Sequence, residues 1–399
     1  MTESKPHERR ILMLATGRVV EPLFGGELRY FHLADELARM GHTVELHGWL
    51  SRNHKIQTAR HGRLTIVEHH AAALDLAQVF HRLRLIPACE LPAWLAHLGP
   101  VVAEMVKRNR FDIVHYELPW WSRAVDDLPP KTVVVYGAQN IESVWWEPRL
   151  KGFFRAETWK RRLLEHERHA LTSTAGVVAC SEQDAQWMDE RVGVRPPRLA
   201  IVPNGFDARR FTPPDGSRRA WARRKFNFND HEKVTVFIGA AVEHNVRAAR
   251  EICERIAPAT EGEAIRHVIA GRVARGMKCG RANVSCIENV SDVLELLQAA
   301  DVAINPMLSG SGSNIKIAEA LGAGLPVVTT EFGMRGYEAY GAWLGVGSIE
   351  DFPELIRKAQ WPNPAPREEV ERLGWAASAR KLSEHYENLI KLMASQEAE

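Results

Sequence analysis

The sequence is poor in cysteine and nearly balanced in charge. Five cysteines in 399 residues (Cys89, Cys180, Cys253, Cys279 and Cys286) are odd in number and include no Cys-x-x-Cys pair. That argues against a disulfide framework and a zinc site, and for a reducing compartment. Lys and Arg number 52 against 50 Asp and Glu, a formal net charge of +2. A dedicated nucleic-acid binder shows a marked basic excess, so no nucleic-acid partner is expected. No apolar run approaches the roughly 20 residues of a membrane span. The run ILMLAT at 11–16 is too short for a signal-peptide core and reads better as a strand. The GxGxxG fingerprint, a fixed-period repeat and a low-complexity tract are all absent. None of the 17 histidines has ligand spacing, His69 and His70 included, and no carboxylate pair suggests a metal. These absences leave a metal-free, cofactor-free cytoplasmic protein. Its apolar share of 45% and charged share of 26% are ordinary for a globular chain long enough for two or three domains.

The chain opens as strand (Ile11 to Gly17), a loop ending in Gly25-Gly26, a helix with Leu28, Phe31, Leu33, Leu37 and Met40 at helical spacing, and a second strand, TVELHGWL. That order starts a parallel, doubly wound sheet. The glycine pair admits a phosphate or a sugar, or is simply a tight turn. A third strand is expected at Arg63 to His70, with helical stretches at 73–85 and 92–109. Two further strands, DIVHYE and KTVVVYGA, end in polar residues: His115 and Glu117 on one, Gln139-Asn140-Ile141-Glu142 on the next. Carboxyl ends of strands are where open α/β sheets bind ligands, against the simpler reading of strand-end hydrogen bonding. Residues 149–168 are basic and aromatic. They read either as a solvated helix face or as a contact with anionic lipid at the inner membrane face.

The turn-rich stretch PNGFDARRFTPPDGSRR, from Pro203, reads as an interdomain connection. The expected domains are 1–208, 209–374 and a closing helix, 375–399, returning toward the first. KVTVFIGA begins a second strand–helix series, in which Ser291 is the expected N-cap of the helix SDVLELLQAA. Its centre is Asn305 to Arg335: a strand end, the loop SGSGS (Ser309 to Ser313), a helix NIKIAEALGA, a tight turn and a strand. The loop is too poor in side chains to pack, which suits backbone that must approach a ligand closely. Lys316 and Glu319 are three apart and share a helix face. Loop amides (Gly312, Ser313, Asn314), the helix N-terminus and Lys316 favour an anion, while Glu319 offers two acceptors to neighbouring hydroxyls. Diphosphate beside ribose is a nucleotide. On spacing alone an ordinary surface Lys and Glu explains the pair as well.

Taken together, GGELRYFHLADELARMGHTVEL, IVPNGFDARRFTPP, ENVSDVLELLQAADVAINP, GSGSNIKIAEALGAGLPVVTT and WAASARKLSEHYENLI resemble the GT-B glycosyltransferases, specifically family 4, which are retaining. The resemblance covers nearly the whole chain. It implies an α/β, GT-B architecture: two Rossmann-like doubly wound domains facing across a cleft. It also implies transfer of a hexose from a UDP- or GDP-linked sugar to a glycan, lipid-linked or natural-product acceptor, as in polysaccharide biosynthesis. By its motifs Glu319 would bind the donor ribose, Lys316 the diphosphate, and Gly25 and Gly26 the donor phosphates or sugar. His115 or Glu117 matches a histidine often found at that strand end; with Lys316 they are the catalytic candidates. Asn140 and Glu142 are acceptor-side candidates. Three departures stand out. Ser311 replaces the first of two glutamates eight apart, GAAVEHNVRAA lacks the usual Arg/Lys pair, and the His115–Glu117 register is shifted. A nucleotide-sugar epimerase and a non-catalytic nucleotide-sugar-binding scaffold are the rival readings.

Overall fold

The computed structural model describes residues 8–22, 24–51, 54–90, 92–310 and 312–398. The chain forms two compact units: Met1–Pro203 with Ala376–Glu399, and Asn204–Trp375.

Unit 1 is built on an eight-stranded sheet in the order β3-β4-β2-β1-β5-β6-β7-β8. The strands are β1 (Arg10–Thr16), β2 (Thr43–Leu50), β3 (Thr58–His61), β4 (Leu64–His70), β5 (Ile113–Glu117), β6 (Val133–Ala138), β7 (Gly176–Ala179) and β8 (Leu199–Ile201). All neighbours pair in parallel except β3 with β4. Covered on both faces, β1 is a continuous apolar run with Ile11 to Ala15 fully buried. The helices are α1 (Gly25–Arg39), α2 (Ala72–Arg82), α3 (Gly99–Asn109), α4 (Glu142–Trp146), α5 (Ala156–Thr172) and α6 (Glu182–Trp187). β1 lies between β2 and β5. The winding therefore reverses at β1/β5, which points the loops after Thr16 and Glu117 into the place where such sheets bind ligands.

Unit 2 repeats the plan with six parallel strands in the order β11-β10-β9-β12-β13-β14. These are β9 (Lys233–Ile238), β10 (Ile265–Ala270), β11 (Val284–Ile287), β12 (Val302–Asn305), β13 (Val327–Thr329) and β14 (Leu344–Val346). Helices α7 (Gly216–Lys225), α8 (Glu243–Glu251), α9 (Val293–Ala299), α10 (Ile315–Gly322), α11 (Glu331–Met334), α12 (Phe352–Lys358) and α13 (Arg367–Glu371) surround it. Its winding reverses between β9 and β12. The N-termini of α8 and α10 follow those two strands, so the Gly/Ser loop falls at the switch point. One buried cation fastens the opposite end of the same strands. Arg223, 5% exposed, donates to Asp301 Oδ2 (3.0 Å), to the carbonyls of Ala299 (3.1 Å) and Glu232 (2.9 Å), and to Asn229 O. Asp301 Oδ2 also accepts from Val234 N (2.8 Å) at the start of β9.

The C-terminal helix (Trp375–Ala398) belongs to unit 1 from Ala376 onward. Leu382, Tyr386 and Leu389, at spacings of four and three, are its buried stripe. A Cβ placed on Gly176 would lie 2.5 Å from Leu389 Cδ1, so glycine at the start of β7 is what lets this helix come so close. Ser378 Oγ donates to Pro203 O at 2.9 Å, tying together the segments by which the chain leaves and rejoins the unit.

Several local expectations are corrected. The N-cap of α9 is Asp292, whose Oδ1 accepts from Leu294 N at 2.9 Å, and not Ser291. Both residues suit a cap, and only the backbone turn selects between them. β6 ends at Ala138, and Glu142 opens helix α4 instead of ending a strand. Strands β3 and β14 are too short to show a period in sequence.

Candidate active site

In unit 2, Gly310 and Gly312 have φ of +137° and +69°, values that side-chain-bearing residues avoid. Ser311 lies outside the described residues. The loop is held from behind. Arg335 Nη2 donates to Gly312 O (3.1 Å), Asn204 Nδ2 to Ser313 O (3.1 Å), and Asn314 Nδ2 to Gly333 O (2.9 Å). The side chain of Asn314 thus fixes the loop. Helix α10 starts here, with the unpaired N–H groups and partial positive charge of any helix N-terminus.

Lys316 and Glu319 are half-buried on the first turns of α10. Lys316 Nζ lies 3.1 Å from Asn245 Oδ1 and 4.5 Å from the centroid of the Phe237 ring. Burial pulls its pKa down to about 8, opposed by the charge of Glu319. The Glu319 carboxyl has no hydrogen-bond partner among the described residues. Burial pushes its pKa up to about 7, against the charges of Arg210 and Lys316. A cavity of about 20 Å³, room for a water, lies beneath both against β9, β12 and β13. On its wall Asn305 Oδ1 is buried without a partner among the described residues. Asn245 comes from the segment that lacks the Arg/Lys pair, and its amide oxygen meets Lys316 from across the switch point.

In unit 1, Gly25 and Gly26 form the first turn of α1 and not a separate loop. A Cβ on Gly26 would stand 2.3 Å from Gln139 Oε1, so this glycine is required by close approach. Asn140 Nδ2 donates to Glu142 Oε1 at 3.1 Å. Glu142 is buried beside Glu167, whose carboxylate accepts from the backbone N–H groups of Glu142 and Ser143 and so caps α4. Burial pushes both carboxyls up to about 7, and their mutual repulsion adds to it for Glu142.

His115 and Glu117, the other two catalytic candidates, are buried. They are 0% and 1% exposed, with His115 Nε2 3.2 Å from Glu117 Oε1. The structure therefore gathers Gly312, Ser313, Asn314, Lys316 and Glu319 in one place. Gly25, Gly26, Asn140 and Glu142 lie at strand ends of the other unit, and His115 and Glu117 lie inside it. Sequence reasoning missed Asn245, 71 residues from Lys316, and the buried partners of Glu117.

This geometry, a pair of doubly wound units with an anion-suited loop and helix at a switch point, matches known proteins. Residues 25–210 match the model of Glycosyltransferase Family 4, and residues 232–359 that of Glycosyl transferases group 1. The chain belongs to the family-4-like glycosyltransferases of the GT-B fold. It is 27% identical over 257 residues to the lipopolysaccharide glucosyltransferase WaaG of Escherichia coli K12, a match spanning 58% of this chain and 64% of that relative's length. Sucrose-phosphate synthase from Thermosynechococcus elongatus shares the fold at a TM-score of 0.73 and 15% identity, over 96% of this chain and all of the other. Anabaena HepE, crystallised with UDP, shares it at 0.59 and 14%, over 98% and 99%.

Proposed function

We propose that the chain transfers a hexose from a nucleotide sugar to a carbohydrate or lipid-linked acceptor, retaining the anomeric configuration and needing neither a metal nor a resident cofactor. One observation carries the reading: Lys316 and Glu319 line the same cavity from the first turns of α10, and the Glu319 carboxyl has no hydrogen-bond partner among the described residues. Lys316 and the first-turn amides of α10 hold the diphosphate, and Glu319 accepts from the ribose hydroxyls. The bond between the anomeric carbon and the β-phosphate oxygen breaks, and the acceptor oxygen takes its place. The acceptor proton passes to the leaving phosphate oxygen, so no protein nucleophile is required. Gly25 and Gly26 approach the donor phosphates or sugar, and Asn140 and Glu142 lie on the acceptor side. A uridine donor is the first to test, since HepE is crystallised with UDP and with UDP-glucose.

Titration calorimetry with UDP, GDP and their glucose conjugates tests the donor site. Glu319→Ala should weaken the preferred nucleotide by roughly 10- to 100-fold, the worth of hydrogen bonds to a charged acceptor. An unchanged affinity removes Glu319 from the site. Binding without transfer to any acceptor would favour the non-catalytic scaffold, and release of an epimerised donor the epimerase.

The membrane reading gains its apolar part from α2, a helix that the sequence does not by itself connect with a membrane. Along α2, Leu76 and Val79 are exposed, and so is Leu83 just beyond it, at 60%; Leu85 and Phe154 (61%) continue the patch. Phe154 N donates to Arg84 O at 3.0 Å, which joins residues 149–168 to α2. Lys151, Arg155 and Arg161 are exposed on the basic segment. No described helix is long and apolar enough to cross a membrane. We propose that this face lies on an anionic bilayer, as amphipathic surface helices do. Leu83→Asp with Phe154→Asp should cut co-sedimentation with phosphatidylglycerol vesicles by at least about tenfold, from the loss of two buried apolar side chains. Equal pelleting of both proteins would refute it.

A further inference from the structure

Unit 1 contains a line of buried polar side chains that the proposed transfer step does not use. The Tyr386 hydroxyl lies 2.7 Å from His115 Nδ1. His115 Nε2 lies 3.2 Å from Glu117 Oε1, and Arg29 Nε lies 3.8 Å from the same oxygen. Arg29 Nη1 donates to Val202 O at 2.9 Å. Gln139 helps hold the charge of the Glu117 carboxyl, and its Nε2 reaches Gly26 O at 3.4 Å. Tyr386, His115, Glu117 and Arg29 are all 0–1% exposed.

Burial of this extent makes each member depend on its neighbours for its hydrogen bonds. The charge pattern is consistent along the line. Burial pushes the Glu117 carboxyl up, but the hydrogen bond from His115 and the charge of Arg29 outweigh it and keep it below its usual range. A carboxylate next to Nε2 makes that nitrogen the donor. Nδ1 is then the acceptor, and the Tyr386 hydroxyl donates to it. Two glycines make room for the line. A Cβ on Gly137 would fall 2.6 Å from His115 Nε2 and 2.8 Å from Glu117 Cδ, and one on Gly26 would strike Gln139. The line runs from the C-terminal helix to the first turn of α1, where Gly25 and Gly26 lie.

We infer that Tyr386, His115, Glu117, Arg29 and Gln139 are positioning residues that hold the Gly25–Gly26 turn in place for the donor. The proposal rests on the reading of that turn as a donor contact. Arg29 fixes α1 four residues into the helix, and Gln139 fixes the turn itself. Glu117 sets the imidazole tautomer, and Tyr386 holds the ring in the orientation on which the Glu117 end depends.

Tyr386→Phe removes one hydroxyl and keeps the ring. Amide hydrogen exchange of residues 24–30 should then speed by about tenfold, the worth of one net hydrogen bond, while exchange in α10 stays as in the wild type. KM for the nucleotide sugar should rise by a similar factor, with kcat changed less than about twofold. Gly137→Ala, which displaces His115 and Glu117 without deleting a polar group, should give the same local signature. Wild-type exchange at 24–30 in both variants overturns the proposal, as does a uniform loosening of all of unit 1. Local loosening with an unchanged KM would remove the turn from the donor site. Local loosening in a protein whose wild type transfers no sugar would overturn the proposed function and leave the positioning line standing.

Discussion

Lys316→Ala is expected to slow sugar transfer by roughly 10²–10³-fold, the loss seen when one preorganised donor to a developing oxyanion is removed. The charge on the leaving diphosphate grows as the glycosidic bond breaks, so an ammonium held beside it acts more strongly in the transition state than in the ground state. Lys316 is held in that way. Asn245 Oδ1 fixes its direction, and the Phe237 ring supports its charge from behind. Nucleotide affinity should fall less than kcat, and single-turnover kinetics separate the two. The pKa shifts give a second readout. A lysine at about 8 keeps its charge below that pH and loses it above. A carboxyl at about 7 is ionised only above that value. The kcat/KM profile of the free enzyme should therefore be bell-shaped, with limbs near 7 and 8. In Lys316→Ala the alkaline limb should vanish. Full turnover in that variant, or an alkaline limb that survives it, would remove Lys316 from the chemistry.

Arg223→Ala is expected to destabilise unit 2 by about 3 kcal/mol, the typical cost of removing one partner from a buried ionic cluster. The guanidinium ties the ends of α9 and β12 to the start of β9 through Asp301 and the carbonyls of Ala299, Asn229 and Glu232. Arg219 also pairs with Asp301, at 2.6 Å, so that carboxylate keeps one cation, which sets the upper bound on the loss. A unit of this size should melt roughly 6–12 °C lower. Because β9 and β12 run from this cluster to the switch point, nucleotide should restore part of the lost melting temperature by binding the folded unit. A melting temperature within a degree of the wild type would show that the cluster is a surface feature.

The grouping of Lys316 and Glu319 behind the Gly/Ser loop was legible in sequence because it is local. A bare Gly/Ser loop, a helix opening on it and two charged residues three apart lie within eleven positions, and helix geometry alone puts them together. The strand-and-helix alternation was legible for the same reason, down to β1 and β12. Long-range partners were not. Asn245 meets Lys316, and Tyr386 meets His115 271 positions away, only because two sheets wind as they do. His115 and Glu117 are site candidates in sequence because they end a strand at a switch point. Their burial depends on Arg29 and on a helix at the far end of the chain. The apolar stripe of α2 has the same period as a core-facing stripe, so its exposure could be read only from the fold.

The return of the last helix to unit 1 has a consequence for biosynthesis. Ribosomal synthesis delivers β1 to β8 first, yet the flank of β7 and the imidazole of His115 wait for Leu389 and Tyr386. An entire second unit emerges in between. During that interval the earlier-made half has an open apolar seam, so its completion is gated by a helix made only after unit 2 and not by its own residues.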